Sequence, residues 1–370
     1  MTRAAHPRQT FWPVPLLQRH VGCAVMAGNS ADHAKLRYHG DVAARPGLLD
    51  FAVNVRAAAP PDWLRARLAA RLGELGRYPD AAEELAARTA VAARHGRTPE
   101  QVLLLAGAAE GFAMLPRLAP RLAAVIHPSF TEPELALREA GIAVTRVLLD
   151  APYLLDPALV PADADLVVLG NPTNPTSVQH CAATILALRR PGRVLVVDEA
   201  FADAVAGEPE SLARRSFPDV LVLRSLTKTW ALAGLRCGYW LGAPELLARL
   251  AHGRAHWPLG TLQLEAIAAT ATPSAVAETE RSAKVIAAER ASMIERLREL
   301  GVAVHTPAEG PFLLLRVPDG ELLRKRLIDL GIAVRRADTF PGLDQNHLRV
   351  AVRDAQAVDR LIAAIAAVGL

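Results

Sequence analysis

The sequence predicts an α/β protein, with a large domain on a mostly parallel, helix-covered sheet and a smaller α+β domain. Three observations predict it. Six apolar runs recur between about residues 100 and 225, with helical patterns between several of them. The runs are near-continuous rather than alternating, which indicates a sheet buried on both faces by crossover helices. Beyond residue 301 the order becomes strand, helix, strand, strand, helix, as in a separate α+β unit.

The first 36 residues read as an N-terminal arm. Pro13, Pro15, Arg19 and His20 interrupt any signal-peptide core, and Met26 is an alternative start. Residues 37–60 are assigned to the smaller domain or its connecting arm, 61–290 to the large domain and 291–370 to the C-terminal small domain. VLLLAG (102–107) is a strand that leads into the helical AAEGFAMLPRLA. AAVIHP (123–128) is a strand, followed by the helix EPELALREAG, closed by Gly141. AVTRVLL (143–149) and DLVVLGN (165–171) are strands, and AATILALRR (182–190) is a helix. RVLVVDEA (193–200) and DVLVLRS (219–225) are strands, and CGYWLG (237–242) adds another, in either direction. A long helix spans 273–300, from Pro273 to a stop at Gly301. FLLLRV, a helix over 319–330, AVRRA, HLRVAVR and a terminal helix complete the smaller domain, which segment 40–60 joins.

Composition narrows the function classes. With 370 residues, 51% hydrophobic, the chain can bury a large core. No apolar run approaches the roughly 20 residues that span a bilayer. Cys23, Cys181 and Cys237 lie far apart without a CxxC, which argues against a disulfide framework or a zinc site and fits a reducing, cytoplasmic location. The net charge is +4 and the pI about 9.2, but the arginines are scattered, with no basic block or aromatic-basic interleaving. That argues against a nucleic-acid partner. Scattered arginines form solvated faces or receive anionic substrates.

Ligands of open α/β sheets bind outside the carboxyl ends of the strands. Four such ends carry chemistry here. Gly107-Ala108-Ala109-Glu110 opens a helix with small residues, whose backbone N–H groups suit an anion; a plain strand–helix turn also fits. GNPTNPTS (170–177) holds Asn174 on a loop stiffened by two Asn–Pro steps, and it also reads as a simple turn. Asp198 ends a buried apolar strand, where a carboxylate needs a cationic ligand, an N-cap or an ion pair. Ser225, Thr227 and Arg236 supply two hydroxyls and a fork of donors around Lys228, a good phosphate grip. An anion cradle, an amide, a carboxylate and a lysine together describe a pyridoxal phosphate site.

The chain resembles the fold-type I pyridoxal-phosphate enzymes of aminotransferase class I/II. It is most similar to the histidinol-phosphate aminotransferase group, which includes the cobalamin-pathway threonine-phosphate decarboxylases. The likeness rests on YHGD (38–41), LLDFAVNV (48–55), RYPD (77–80), GAAE, NPTNPTS, VVDEAF, SLTKTWALAGLRCGY and HLRVAVR (347–353). The 30-position gap from Asp198 to Lys228 and the 8-position gap from Lys228 to Arg236 agree with it.

The resemblance implies a seven-stranded large sheet and pyridoxal phosphate as cofactor. It makes Lys228 the residue that joins the cofactor covalently and later moves the proton at the substrate carbon. It sets Asp198 against the pyridine nitrogen and Asn174 on the ring hydroxyl. Ala108, Ala109, Ser225, Thr227 and Arg236 would hold the phosphate, and Phe130 would stack on the ring, although core packing also fits that residue. Tyr78 would reach the cofactor phosphate of a neighbouring subunit, which implies a homodimer with shared active sites. Arg349 would pair with a substrate carboxylate or phosphate, Arg335 with a substrate phosphate, and Asn54 would face the substrate. Arg336 and Arg353 are expected at the surface.

Two departures stand out. Phe201 replaces a tyrosine that donates to the ring oxygen in many relatives, and VNVRAAAPP (53–61) departs from the usual Asn-Pro-rich loop. His252 and His256 have the i, i+4 spacing of a two-histidine metal pair, but no glutamate follows the first and no third ligand is evident, so no metal site is expected. The leading expectation is transamination of a small phosphorylated amino compound such as histidinol phosphate, with 2-oxoglutarate and glutamate. The alternatives are decarboxylation of O-phosphothreonine and, in another class, a non-catalytic binding protein on the same fold.

Overall fold

Runs of valine and leucine at the predicted strand positions pair into one large sheet. The computed structural model describes residues 30–369, so most of the expected arm, with Cys23 and Met26, lies outside the described residues. A short strand, β1 (Leu49–Asp50), comes first. The six apolar runs then form β2 (Val102–Leu105), β3 (Leu122–His127), β4 (Ala143–Leu148), β5 (Leu166–Gly170), β6 (Val194–Asp198) and β7 (Val220–Ser225), followed by β8 (Gly238–Leu241). The sheet has seven strands in the order β2-β8-β7-β6-β5-β3-β4. β8 runs antiparallel to both β2 and β7, and the remaining pairs are parallel.

Alternation along each strand divides the core in two. Leu195, Val197 and Val222 face one apolar layer, and Val196, Leu221 and Leu223 face the other. Each such side chain contributes about 1.5–3 kcal/mol by leaving water. Helices cover both layers. The helix after β2 spans Ala108–Met114 and tightens into a 3-10 turn at Pro116. The helix after β3 spans Glu132–Glu139 and ends before Gly141, whose φ of +76° suits glycine. The helix expected over 182–190 covers only Ala182–Leu186. Arg193 Nη1 draws off the Leu188 carbonyl at 2.9 Å, and Pro191 cannot extend the helix.

The second unit is built from β9 (Ala303–Val304), β10 (Phe312–Arg316), β11 (Ile332–Ala333), β12 (Arg335–Arg336) and β13 (His347–Ala351). Four of these form an antiparallel sheet, β12-β13-β10-β9, while β1 pairs parallel with β11. That pairing brings segment 40–60 to this unit, and Phe51 is buried in its core with Leu313, Leu348 and Leu361. The helix Pro273–Glu299 bridges the two bodies: Ala275 packs in the large core, Met293 and Leu297 in the small one. Leu314 of β10 points back into the large core, so the two sheets are fixed against each other. Among the described residues no helix is long and apolar enough to cross a membrane.

Candidate active site

The carboxyl ends of β5, β6 and β7 open into a cavity of about 510 Å³, closed from the other side by residues of β12 and β13. The volume suits a cofactor with a small substrate. Lys228, Asp198, Asn174 and Ser225 line it from the large sheet, and Arg335 and Arg349 from the small one.

Strand register sets the centre. Asp198 ends β6 opposite Leu223 of β7, and β7 runs two residues further to Ser225, with Lys228 just beyond. Asp198 is pushed up to about 7 because burial disfavours the carboxylate; the Ala200 N–H, donating at 3.0 Å, and the Lys228 charge oppose this. Lys228 is pushed down to about 8, first by burial and then by the positive charges of Arg349 and Arg236. Its amine is therefore more readily neutral than a surface lysine.

At one end of the cavity stand Ala108, Ala109, Ser225, Thr227 and Arg236. Gly107 precedes the helix with φ +86°, and a Cβ placed on it would lie 2.8 Å from Arg236 Nη2. Glycine is what lets the guanidinium lie against this turn. Arg236 itself has φ +62°, an unusual conformation for arginine, and its only side-chain hydrogen bond among the described residues is Nη1 to the Ala233 carbonyl at 3.2 Å. Its fork and the hydroxyls of Ser225 and Thr227 thus form a donor-rich cradle with no carboxylate in it. These residues fit a cofactor with a phosphate at one end and a protonatable ring nitrogen at the other.

The opposite wall is cationic. Arg349 donates through Nη1 to Asn174 Oδ1 at 2.8 Å and through Nη2 to the Ala52 carbonyl, while its buried Nε has no partner. Burial, then Arg335, pushes it down to about 9. Arg335 donates to the carbonyls of Arg336 (2.6 Å) and Tyr38 (2.7 Å) and to Thr339 Oγ1 (2.8 Å), and stacks 4.3 Å from the Tyr38 ring centre. Burial pushes it down to about 10. Asn54 also lines the cavity, and its buried Oδ1 has no partner.

Phe130 lines the cavity beside Phe112 and His39, at ring-centre distances of 5.8 and 5.4 Å. Phe201 forms another part of the wall and meets Phe312 edge-on at 4.9 Å. Tyr78 does not line this cavity: it is 71% exposed and stacked on Trp257, itself 58% exposed. Glu110 also stays outside, accepting from Ala106 N at 2.6 Å and pairing with Arg254. His252 follows the helix Pro244–Ala251 and His256 lies beyond it, so the pair is not one turn apart on a helix. Arg353 corrects an expectation of exposure: it is half-buried, donating to the carbonyls of Asp50 (2.9 Å) and Val53 (2.6 Å). Arg336 is half-buried too, paired with Asp338.

Sequence reasoning assigned no role to several residues of the wall. His39 Nε2 lies 2.5 Å from Glu132 Oε1, and both residues line the cavity with Asp41. The signal was YHGD (38–41), whose position beside the β3 end is invisible without the fold.

Comparison with known proteins agrees with this geometry. The family model for aminotransferase class I and II matches residues 46–365. A histidinol-phosphate aminotransferase of Mycobacterium tuberculosis is 58% identical over 343 residues, covering 93% of each chain. A threonine-phosphate decarboxylase of Salmonella typhimurium is 31% identical over 332 residues, covering 86% of this chain and 90% of that one. The crystal structure of the histidinol-phosphate aminotransferase from Clostridium acetobutylicum superposes with a TM-score of 0.81 at 23% identity, covering 87% of this chain and 99% of that one, which shows the fold. The chain therefore belongs to the aminotransferase class I and II family, and is an enzyme of its pyridoxal-phosphate-dependent aminotransferase type.

Proposed function

We propose that the chain transfers an amino group between a phosphorylated amino compound of the histidinol-phosphate type and 2-oxoglutarate. One observation carries this reading. Arg335 and Arg349 are buried in the wall of the cavity that holds Lys228, and neither has a carboxylate partner among the described residues. Buried cations without a counter-charge are costly, and anionic substrates supply one. A phosphate on one substrate and carboxylates on the other match two separate arginines. The 58% identity to a protein named histidinol-phosphate aminotransferase supports the choice.

Pyridoxal phosphate, when bound, supplies an electron sink for the carbon that carries the amine. Asp198 would hold the ring nitrogen, Asn174 the ring hydroxyl and Phe130 the ring face. Ser225, Thr227, Arg236 and the backbone of Ala108 and Ala109 would hold the phosphate. Lys228 would anchor the cofactor and, once displaced by substrate, take and return the proton at the substrate carbon. Asn54 would face the substrate. Tyr78 would reach the cavity of a second copy in a homodimer; its exposure supports that reading. Cys181 and Cys237, unpaired among the described residues, accord with a cytoplasmic location.

Decarboxylation of O-phosphothreonine is the second reading, favoured by the 31% identity to a threonine-phosphate decarboxylase and by Phe201 in place of a hydroxyl donor. The choice depends on which bond at the substrate carbon is held perpendicular to the ring plane. A paired assay decides. Glutamate formed from histidinol phosphate and 2-oxoglutarate is the expected result. Carbon dioxide from O-phosphothreonine, with no glutamate in the first assay, would replace this reading with the second. Visible absorbance that no amine changes would point to binding without turnover.

A further inference from the structure

We propose that the buried Arg224–Glu199 ion pair is a positioning device for cofactor binding. It fixes the separation of Asp198 and Ser225, so that one ligand reaches both. The inference rests on the reading of the cavity as a pyridoxal phosphate site. Successive strand residues point to opposite faces, and here that alternation divides a charged layer from the cavity. Asp198 and Ser225 line the cavity; Glu199 and Arg224, their chain neighbours, are buried away from it.

On that hidden side Arg224 Nη1 lies 3.0 Å from Glu199 Oε2. The Glu199 carboxylate also accepts from Ser211 Oγ and Leu212 N, each at 2.6 Å, so both its oxygens are held. The Glu199 backbone N–H donates to the Leu223 carbonyl at 2.9 Å. The ends of β6 and β7 are thus joined twice, through backbone and through charge, and the charge contact lies one residue from each cavity group. Arg224 also binds Glu208, at 2.6 and 3.0 Å, and Asp203. Glu199, Asp203 and Glu208 all belong to the segment leaving β6, whose Ala200 and Phe201 form cavity wall. A planar guanidinium holds its carboxylates through a rigid fork of donors, whereas an ammonium is a compact charge whose three donors rotate. Arg94 joins the same layer further away, through Asp203 at 2.7 Å and Glu208 at 3.5 Å, and has no ion pair with Glu199 among the described residues.

A ligand gripped at both ends gains affinity only if the two grips are correctly spaced. A ligand gripped at one end is indifferent to that spacing. Cofactor-free protein is titrated with pyridoxal phosphate, with pyridoxal, which lacks the phosphate, and with inorganic phosphate, which lacks the ring. Glu199→Gln removes the charge and keeps the shape; Arg224→Lys keeps the charge and loses the fork. In either variant pyridoxal phosphate is expected to bind about tenfold more weakly or worse, with pyridoxal and phosphate changed less than about twofold. Arg94→Lys leaves the Glu199–Arg224 contact in place and is expected to leave all three affinities within about twofold. Parallel losses for all three ligands, or no loss for pyridoxal phosphate, would overturn the inference, as would an equal loss in Arg94→Lys. Either strand-end variant decides alone if the other fails to fold. A native chain that binds no pyridoxal phosphate would overturn the functional reading and the inference together; the variant pattern tests the inference alone.

Discussion

Arg349 Nη1 donates to Asn174 Oδ1 at 2.8 Å, linking β13 of the small sheet to the loop after β5 of the large one. A substrate anchor and a cofactor ligand are thereby proposed to share one hydrogen bond. Its charge assistance makes it worth about 1.5–3 kcal/mol. Arg349→Leu is expected to lower kcat/KM by about 10- to 100-fold. Asn174→Ala in the same chain should add less than its own separate effect, because both changes delete one interaction. Steady-state kinetics of the double-mutant cycle measure this, and full additivity would dissociate the pair.

Asp198 makes the cofactor-free protein sensitive to pH. Its carboxyl is raised from 3.8 to about 7 by burial, so between those values the folded chain holds a proton that the unfolded chain has lost. Its contribution is therefore complete below about pH 4 and is lost as pH rises through about 7. Thermal unfolding of native protein and Asp198→Asn without cofactor should show the native chain losing Tm relative to the variant across that window. A constant difference would mean that the carboxyl titrates normally.

Gly107→Ala is expected to displace Arg236. The backbone there has φ +86°, and the new Cβ would lie 2.8 Å from Arg236 Nη2. The strained conformation alone costs about 1 kcal/mol. The displaced fork should weaken pyridoxal phosphate binding by about tenfold, since a charge-assisted contact is lost. Calorimetric titration of the cofactor reads this directly, and pyridoxal without its phosphate should be unaffected.

Phe201→Tyr would add a hydroxyl to the cavity wall, at a ring now packed edge-on against Phe312. A donor there favours the deprotonated form of the cofactor–lysine chromophore. Its visible-absorbance pKa should fall relative to the native chain. Coincident titration curves would show that the hydroxyl does not reach the ring oxygen.

Much of the site was legible because each piece is local. Asp198 and Lys228 stand at ends of apolar runs, and strand ends of a parallel sheet share one edge of the fold. The cradle around Arg236 was legible as hydroxyls near an arginine, but its dependence on Gly107 was not, because the two lie on different elements. His39 and Glu132 are 93 positions apart, and nothing in either neighbourhood announces the other. Arg353 was misjudged because its carbonyl partners belong to a segment about 300 residues earlier.

Chain order by itself determined the strands of the large sheet, the positions of the lysine and the aspartate at their ends, and the kind of ligand those groups suit. Apolar period and turn residues act over a few positions, so a linear text can carry them. Only the tertiary structure decided that Arg335 and Arg349 close the cavity, that Tyr78 lies outside it, and that Arg224 and Glu199 brace it from behind. Those relationships depend on how two sheets and their helices pack, and packing is set by shape and burial across the whole chain rather than by neighbours in sequence.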